Sequence, residues 1–354
     1  MRPLRVAVAM AGMLATAVAA DVAQVVPGYT VTFPRDHGSH PGFRTEWWYA
    51  TGWIRTRAGE ELGFQATFFR SARSEAGGNP SAFAPHEILI AHAALSDPVR
   101  GRLWRAERIA RAGFGLAGAR EGDAAAWVDD WKLERRMGVF QIAAPAEDFA
   151  LKLALAPTQA PMLNGGMGFS RKGPSPLAAS YYYSLPHLSV RGDITRDGRR
   201  EAVSGEAWLD HEWSSEYLEP EAAGWDWVGL NLEGGAALMA FRIRGRDGAV
   251  RWAGATLRSA EGRLRTFAPA EVSFTPRRSW RSPRTAIEYP LEWVVRGGDL
   301  ELALTPLMDD QESDTRATTG AIYWEGAVRA RSGGRDVGRG YLELTGYGEA
   351  LRLR

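Results

Sequence analysis

The chain predicts an all-β protein made of two related antiparallel β-domains, and three observations carry that expectation. Short strand-like runs are separated throughout by glycine turns, and glycine is abundant, at 40 of 354 residues. No long amphipathic helix pattern interrupts them. A tryptophan-rich strand followed by a returning strand occurs twice, once in each half, as expected of a duplicated unit.

The elements follow in order. Glu46 to Arg55 runs into Ala58-Gly59-Glu60 and returns as Leu62 to Phe69, a hairpin. Further strands are expected at Ile88–Leu95, Leu103–Ile109, Phe140–Ile142, Phe149–Leu155, Tyr181–Val190 and Glu201–Trp213. Paired turn residues such as Asp197-Gly198, Gly234-Gly235 and Gly297-Gly298 punctuate them. The second half restarts at Trp225-Asp226-Trp227-Val228-Gly229-Leu230, turns at Gly234-Gly235 and returns as Ala237 to Arg244. Both returning strands end in Phe-Arg, at Phe69-Arg70 and Phe241-Arg242. Leu218 to Gly224, with Pro220, is the expected linker, which divides the chain into domains at 28–217 and 218–354. Gly165 to Pro176 is expected as a long loop inside the first domain.

Composition narrows the function classes. A formal net charge of +1 with no polybasic block offers no electrostatic case for a nucleic-acid partner. There is no cysteine, so disulfides, thiolate metal sites and cysteine nucleophiles are excluded. Arg2 and Arg5 precede an apolar run from Val6 to Ala20, and Val18-Ala19-Ala20 offers a cleavage site before Asp21. This reads as a signal peptide over residues 1–20 and implies a periplasmic or secreted protein.

Two clusters concentrate the chemistry: FPRDHGSHPGFRTEWWYATGW (33–53) and GEAWLDHEWSSEYLEPEAAGWDWVGLNL (205–232). Tryptophan is costly to leave exposed, so such clusters wall a core or a ligand cavity. Strand parity places Ala207, Leu209, His211 and Trp213 on one face and Glu206, Asp210 and Glu212 on the other. Asp226 shares a face with Val228, Leu230 and Leu232. A carboxylate there is expensive to ionise unless paired, which makes Asp226 a candidate for an acid kept protonated near neutral pH.

Competing motifs are weaker. His37 and His40 in a Gly/Ser/Pro loop, with Glu46 nearby, lack the downstream partner of a zinc site. No Gly-x-Ser-x-Gly elbow supports a serine hydrolase, and no glycine-rich loop opens a helix for nucleotide chemistry. Glu46, Asp210, Glu212 and Asp226 stand beside tryptophans as carboxylates do in glycosidases, although Asp210 and Glu212 read equally as outward, solvated charges. The run Asp309-Asp310-Gln311-Glu312-Ser313-Asp314 reads as a solvated or loop-capping segment.

Both clusters, with YWEGAV and GRGYLELTGY, resemble the carotenoid 1,2-hydratase (CrtC)/AttH-like family along nearly the whole chain. The resemblance implies two consecutive lipocalin-like β-barrel domains with a ligand cavity at or near their junction. It implies an apolar, isoprenoid- or lipid-like ligand, no metal and no redox cofactor, and the hydratases add water to a C=C bond. The family's His-x-Trp matches His211-Glu212-Trp213, and its aromatic-x-Asp region falls at Trp225-Asp226, with Gly224 where the family's aromatic stands. On these residues Asp226 is the expected proton donor, with His211 orienting it or activating water and Trp213, Trp225 or Trp227 stabilising a cation. The same constellation would serve equally to protonate the leaving group of a hydrolysed ligand. Glu46, Trp47, Trp48, Tyr182, Trp225 and Trp227 are the expected ligand lining. The competing expectation is a periplasmic carrier of the same ligand, or an accessory of a membrane-associated lipoprotein-type ABC exporter.

Overall fold

A computed structural model describes residues 22–73, 81, 84 and 86–351; the signal peptide expected at 1–20 lies outside the described residues. The described chain is all-β apart from single turns of 3-10 helix. Thirteen strands form the first antiparallel sheet: β1 Thr45–Thr56, β2 Glu61–Ala72, β3 Glu87–Asp97, β4 Arg102–Arg111, β5 Ala117–Ala119, β6 Ala125–Val128, β7 Trp131–Arg136, β8 Val139–Pro145, β9 Phe149–Ala156, β10 Met162–Leu163, β11 Phe169–Arg171, β12 Ala179–Arg196 and β13 Arg199–Ser214. Their order is β4-β3-β2-β1-β13-β12-β9-β8-β7-β6-β5, with β10 and β11 added along β12. The ends curl together, β3 and β4 meeting β5 and β6, so the sheet is a nearly closed barrel.

Ten strands form the second: β14 Ala222–Leu232, β15 Ala237–Gly245, β16 Val250–Arg258, β17 Leu264–Phe267, β18 Val272–Arg281, β19 Glu288–Gly297, β20 Leu300–Pro306, β21 Glu312–Thr315, β22 Ala321–Ser332 and β23 Arg335–Leu344. The order is β17-β16-β15-β14-β23-β22-β20-β19-β18, with β21 paired to β22, and β15 and β16 reach round to β18.

Each barrel has its own core. In the first, Trp48, Ile54, Phe64, Phe68, Leu209 and Trp213 point inward. In the second the inward set includes Val228, Leu230, Trp293, Trp324, Leu342 and Leu344. A third apolar cluster lies between the barrels and joins Tyr49, Trp53, Tyr182 and Trp208 of the first to Trp227, Met239, Phe241 and Tyr341 of the second. The strands that meet there are therefore buried on both faces. That is why charged residues of both tryptophan clusters, Glu46, Asp210 and Glu212 among them, are enclosed rather than solvated.

Hydrogen bonds pin the junction. Trp53 Nε1 donates to Gly340 O (3.0 Å), Trp227 Nε1 to the Tyr182 hydroxyl (2.9 Å) and Asn231 Nδ2 to Ala207 O (3.2 Å). The Gly165–Pro176 stretch departs from the expected plain loop. Phe169–Arg171 pairs with β12, and Gly165 bonds Thr256 and Thr266 of the second barrel. The acidic run differs as well: Glu312 is buried and accepts from Ser282 Oγ (2.8 Å) and Thr285 Oγ1 (2.7 Å), while Asp309 and Asp310 pair with Arg278 and Arg284.

At Gly63 the barrels approach too closely for a side chain to fit between them. A Cβ on it would stand 2.7 Å from both Ala327 Cβ and the Tyr341 hydroxyl. Gly63→Val should therefore strain the junction by about 1–3 kcal/mol. Calorimetry should show a lower melting temperature with the single transition broadened or split; an unchanged thermogram would mean that the junction yields freely.

Candidate functional site

The outer face of the first barrel and the facing wall of the second do not pack fully, and a cavity of about 970 Å³ opens between them. The register of β1 with β13 pairs Trp47 with Glu212 and Tyr49 with Asp210, and β12 adds Tyr182 beside Glu212. All five side chains face the cavity. From the second barrel come Trp225 and Trp227 of β14, Tyr323 and Glu325 of β22 and Glu343 of β23. Phe69, His92 and Tyr217 extend the aromatic lining.

Four carboxyl groups thus meet in a largely apolar space. Asp210 accepts from Tyr182 Oη (2.7 Å), Ser184 Oγ (2.5 Å) and Trp208 Nε1 (2.7 Å). Burial still dominates these donors and raises its pKa to about 7, with the nearby Glu212 adding to the rise. Glu212 is also raised by burial, opposed by Lys172 Nζ at 2.8 Å and the Ser180 hydroxyl. Lys172 is itself buried, which lowers its pKa against the pull of Glu212, and its ammonium lies 4.2 Å from the centre of the Phe241 ring. Burial raises Glu343 to about 7 as well, against a hydrogen bond from Trp225. Glu325 goes well above the usual range through burial and then through Glu343. His92 bridges the barrels through the Tyr323 hydroxyl (2.9 Å) and Thr318 Oγ1 (3.0 Å), and burial lowers it to about 3, so it remains neutral.

The opposite face of the same strands carries a different polar system, inside the first barrel. Glu46 is fully buried and accepts from Arg70 Nε (2.9 Å), Ser39 Oγ (3.0 Å) and the His40 backbone (2.9 Å). His40 Nδ1 lies 2.6 Å and His211 Nε2 3.0 Å from its carboxylate. Burial pushes Glu46 upward, but His211 and His40 outweigh it and hold the carboxyl well below the usual range. His211 is sandwiched between Trp48 (4.7 Å) and Trp213 (5.0 Å), with Nδ1 3.0 Å from the Asp36 carbonyl. Ligand atoms of His40, Glu46 and His211 lie within 4.8 Å of one another. They already bond directly, however, and Arg70 adds a cation, so the arrangement fits an ion-paired network rather than a metal centre.

The sequence-derived residues therefore divide. Trp47, Tyr182, Trp225 and Trp227 line the cavity. His211, Trp213 and Trp48 are fully buried on the reverse side of the wall, and Glu46, which borders the cavity through its place in β1, turns its carboxylate the same way. Asp226 corrects the expectation of an unpaired acid. It sits in the second barrel's core with Arg242 Nε at 2.5 Å, Arg244 Nε at 3.2 Å and the Tyr347 hydroxyl at 2.8 Å, an ion-paired carboxylate outside the cavity lining. It also lies on the far face of β14 from His211, which cannot orient it. Asp210 and Glu212, read as solvated, are each only 3 % exposed because the second barrel covers them. Sequence reasoning passed over Lys172, Tyr49, Tyr217, Glu325 and Glu343. A signal existed for all but Lys172: Tyr49 and Tyr217 lie within the two tryptophan clusters, Glu325 in YWEGAV and Glu343 in GYLEL.

Asp226→Asn would leave the buried Arg244 and the half-buried Arg242 without their counter-charge and should cost about 3–5 kcal/mol in urea unfolding. A cost under ~1 kcal/mol would contradict the ion-paired reading. The cavity acids predict a pH effect of definite sign. Their folded pKa values lie above those of the unfolded chain, so their contribution to stability is complete below about pH 4. It is lost as pH rises through about 7. Asp210→Asn should flatten the decline in unfolding free energy between pH 5 and 8; an unaltered slope would show that Asp210 does not retain its proton.

Comparison with known proteins places this architecture. The chain's residues 24–347 match the family model described as AttH-like. It resembles the crystal structure of a candidate AttH protein from Nitrosomonas europaea, with 55 % identity over 93 % of this chain and 100 % of that one, and a TM-score of 0.87. Kievitone hydratase from Nectria haematococca shares the fold at 16 % identity over 89 % and 93 % of the two chains (TM-score 0.69). CghA, solved with Sch210972, does so at 12 % identity over 86 % and 89 % (TM-score 0.52). No curated protein sequence matches the chain. With the family model covering the described barrels nearly end to end, the chain belongs to the AttH-like family.

Proposed function

We propose that the cavity between the barrels binds an apolar, isoprenoid- or lipid-like molecule and adds water across one of its C=C bonds by general acid catalysis. The observation that carries this reading is Asp210: a carboxyl group pushed up to about 7, buried, oriented by three hydrogen bonds and set among tryptophans. Protonating an isolated alkene needs a neutral, positioned acid, and a carboxyl near the working pH fills that role. The Asp210 proton passes to the less substituted alkene carbon, where the π electrons form the new C–H bond. The cation left on the neighbouring carbon faces Trp47, Trp225 and Trp227, whose rings stabilise positive charge. Water then closes the C–O bond. His211 and Trp213 support this from behind the wall, by fixing β13 and with it Asp210.

The likeness of fold to kievitone hydratase supports the reading only to the extent that one hydratase is built this way. The secretory character of the N-terminal segment makes the periplasm the proposed location. The test is incubation with acyclic isoprenoids, geranylgeraniol first, in ¹⁸O-water, with mass spectrometry of the product. Wild type should incorporate one labelled oxygen, and Asp210→Asn should lower kcat by about 10²–10⁴-fold. Undiminished turnover in Asp210→Asn would remove Asp210 from the chemistry. Retention of lipid through purification with no conversion would instead favour the carrier.

A further inference from the structure

Glu325 and Glu343 stand directly opposite each other on β22 and β23, with both side chains in the cavity wall. Opposed residues of an antiparallel pair hold their Cβ atoms ~5 Å apart, so two carboxylates there repel strongly. Among the described residues no cation offsets them: the influences on the pair are burial, each other, Asp210, Glu212, Tyr49 and Trp225. The buried Lys172 is committed to Glu212. Two buried polar atoms, Glu325 Oε1 and Tyr49 Oη, make no hydrogen bond of good geometry, although the two side chains lie close enough for the Tyr49 hydroxyl to act on the Glu325 carboxyl. Tyr49 is the register partner of Asp210 and also feels the charge of both Glu325 and Glu343, so it links the two acid groups across the cavity.

We infer that Glu325 and Glu343 act as one acid–base unit, holding a single proton between them and receiving the proton of the attacking water opposite Asp210. In this step a lone pair of the water oxygen forms the C–O bond to the cation. The O–H bond breaks and its proton passes to the ionised member of the pair. Asp210 has by then given its proton to the alkene carbon. One water is consumed, Asp210 is left one proton short and the pair one proton richer, and exchange with solvent through the cavity restores both. Glu325 Oε1 and Tyr49 Oη are the atoms that would hold that water.

A carboxyl pair crowded in this way titrates in two separated steps. The groups that face it are Tyr49 from β1, Asp210 and Glu212 from β13, Tyr217 from the segment after β13, Trp225 from β14, Tyr323 from β22 and Tyr341 from β23. All the hydroxyls are raised by burial and stay protonated, so only carboxyls compete for the proton near neutral pH.

The catalytic half of this inference rests on the hydration reading; the shared proton does not. Infrared titration of ligand-free protein follows the carbonyl stretch of protonated carboxyls in wild type, Glu325→Gln, Glu343→Gln and the double variant. The expected result is that each single variant releases its last cavity proton about one pH unit or more below wild type, because the neighbouring charge is gone. Single-variant spectra that add to give the double variant would overturn the pairing.

Geranylgeraniol in D₂O then separates the roles. Glu343→Gln should still exchange deuterium into recovered alkene through Asp210 while net hydration falls about 10²-fold; Asp210→Asn should lose both. Unchanged hydration in Glu343→Gln, or loss of exchange with it, would overturn the assignment as base. If wild type hydrates nothing, the proposed reaction and the base role fall together, and the titration alone decides the shared proton.

Discussion

The molecule depends on one packing constraint: the strands β1, β12, β13 and β14 are buried on both faces, by their own barrel on one side and by the other barrel on the other. Alternation of side chains along a strand then sorts polar groups into two compartments with a single sheet between them. Glu46, His211 and Trp213 fall on the inner side, and Tyr49, Asp210 and Glu212 on the cavity side. A slip of one residue in the β1–β13 register would exchange the two sets. The anchoring of β1, through Trp48 Nε1 to the His37 carbonyl (2.9 Å) and Trp53 across the junction, fixes the chemistry as much as the fold.

The two compartments solve the problem of buried charge in opposite ways. Inside the first barrel Glu46 is matched with Arg70 and His40, and in the second Asp226 is matched with Arg242 and Arg244. These are compensated ions, expensive to break and chemically quiet. On the cavity side Lys172 pairs with Glu212, while burial pushes Asp210, Glu325 and Glu343 toward their protonated forms. A site that keeps protons on acids at neutral pH is equipped to give them away.

Much of the fold was legible in the chain. The strands expected at Glu46–Arg55, Leu62–Phe69, Ile88–Leu95, Phe149–Leu155 and Glu201–Trp213 lie within the observed ones, because alternation and glycine turns are local signals. Parity also placed His211 and Trp213 inward and Asp226 on an apolar face, as observed. What parity could not supply was the occupant of the far side. Asp226 finds its cations on the adjacent strand, sixteen and eighteen residues on, and Asp210 is buried by a domain that follows it in the chain. Lys172 comes from a Gly/Pro-rich stretch with no periodicity to mark it. Glu325 and Glu343 lie far from either tryptophan cluster and reach the site only through pairing of β14 with β23.

The walls of the cavity also belong to neither core. Trp47, Phe69 and Tyr323 project from surfaces that each barrel would present to solvent if it stood alone, so replacing them leaves no void among the residues that hold either barrel together. The shape and polarity of the cavity can drift through outward positions while both cores remain as they were. One scaffold can in this way be retuned to molecules of quite different outline with little loss of foldability.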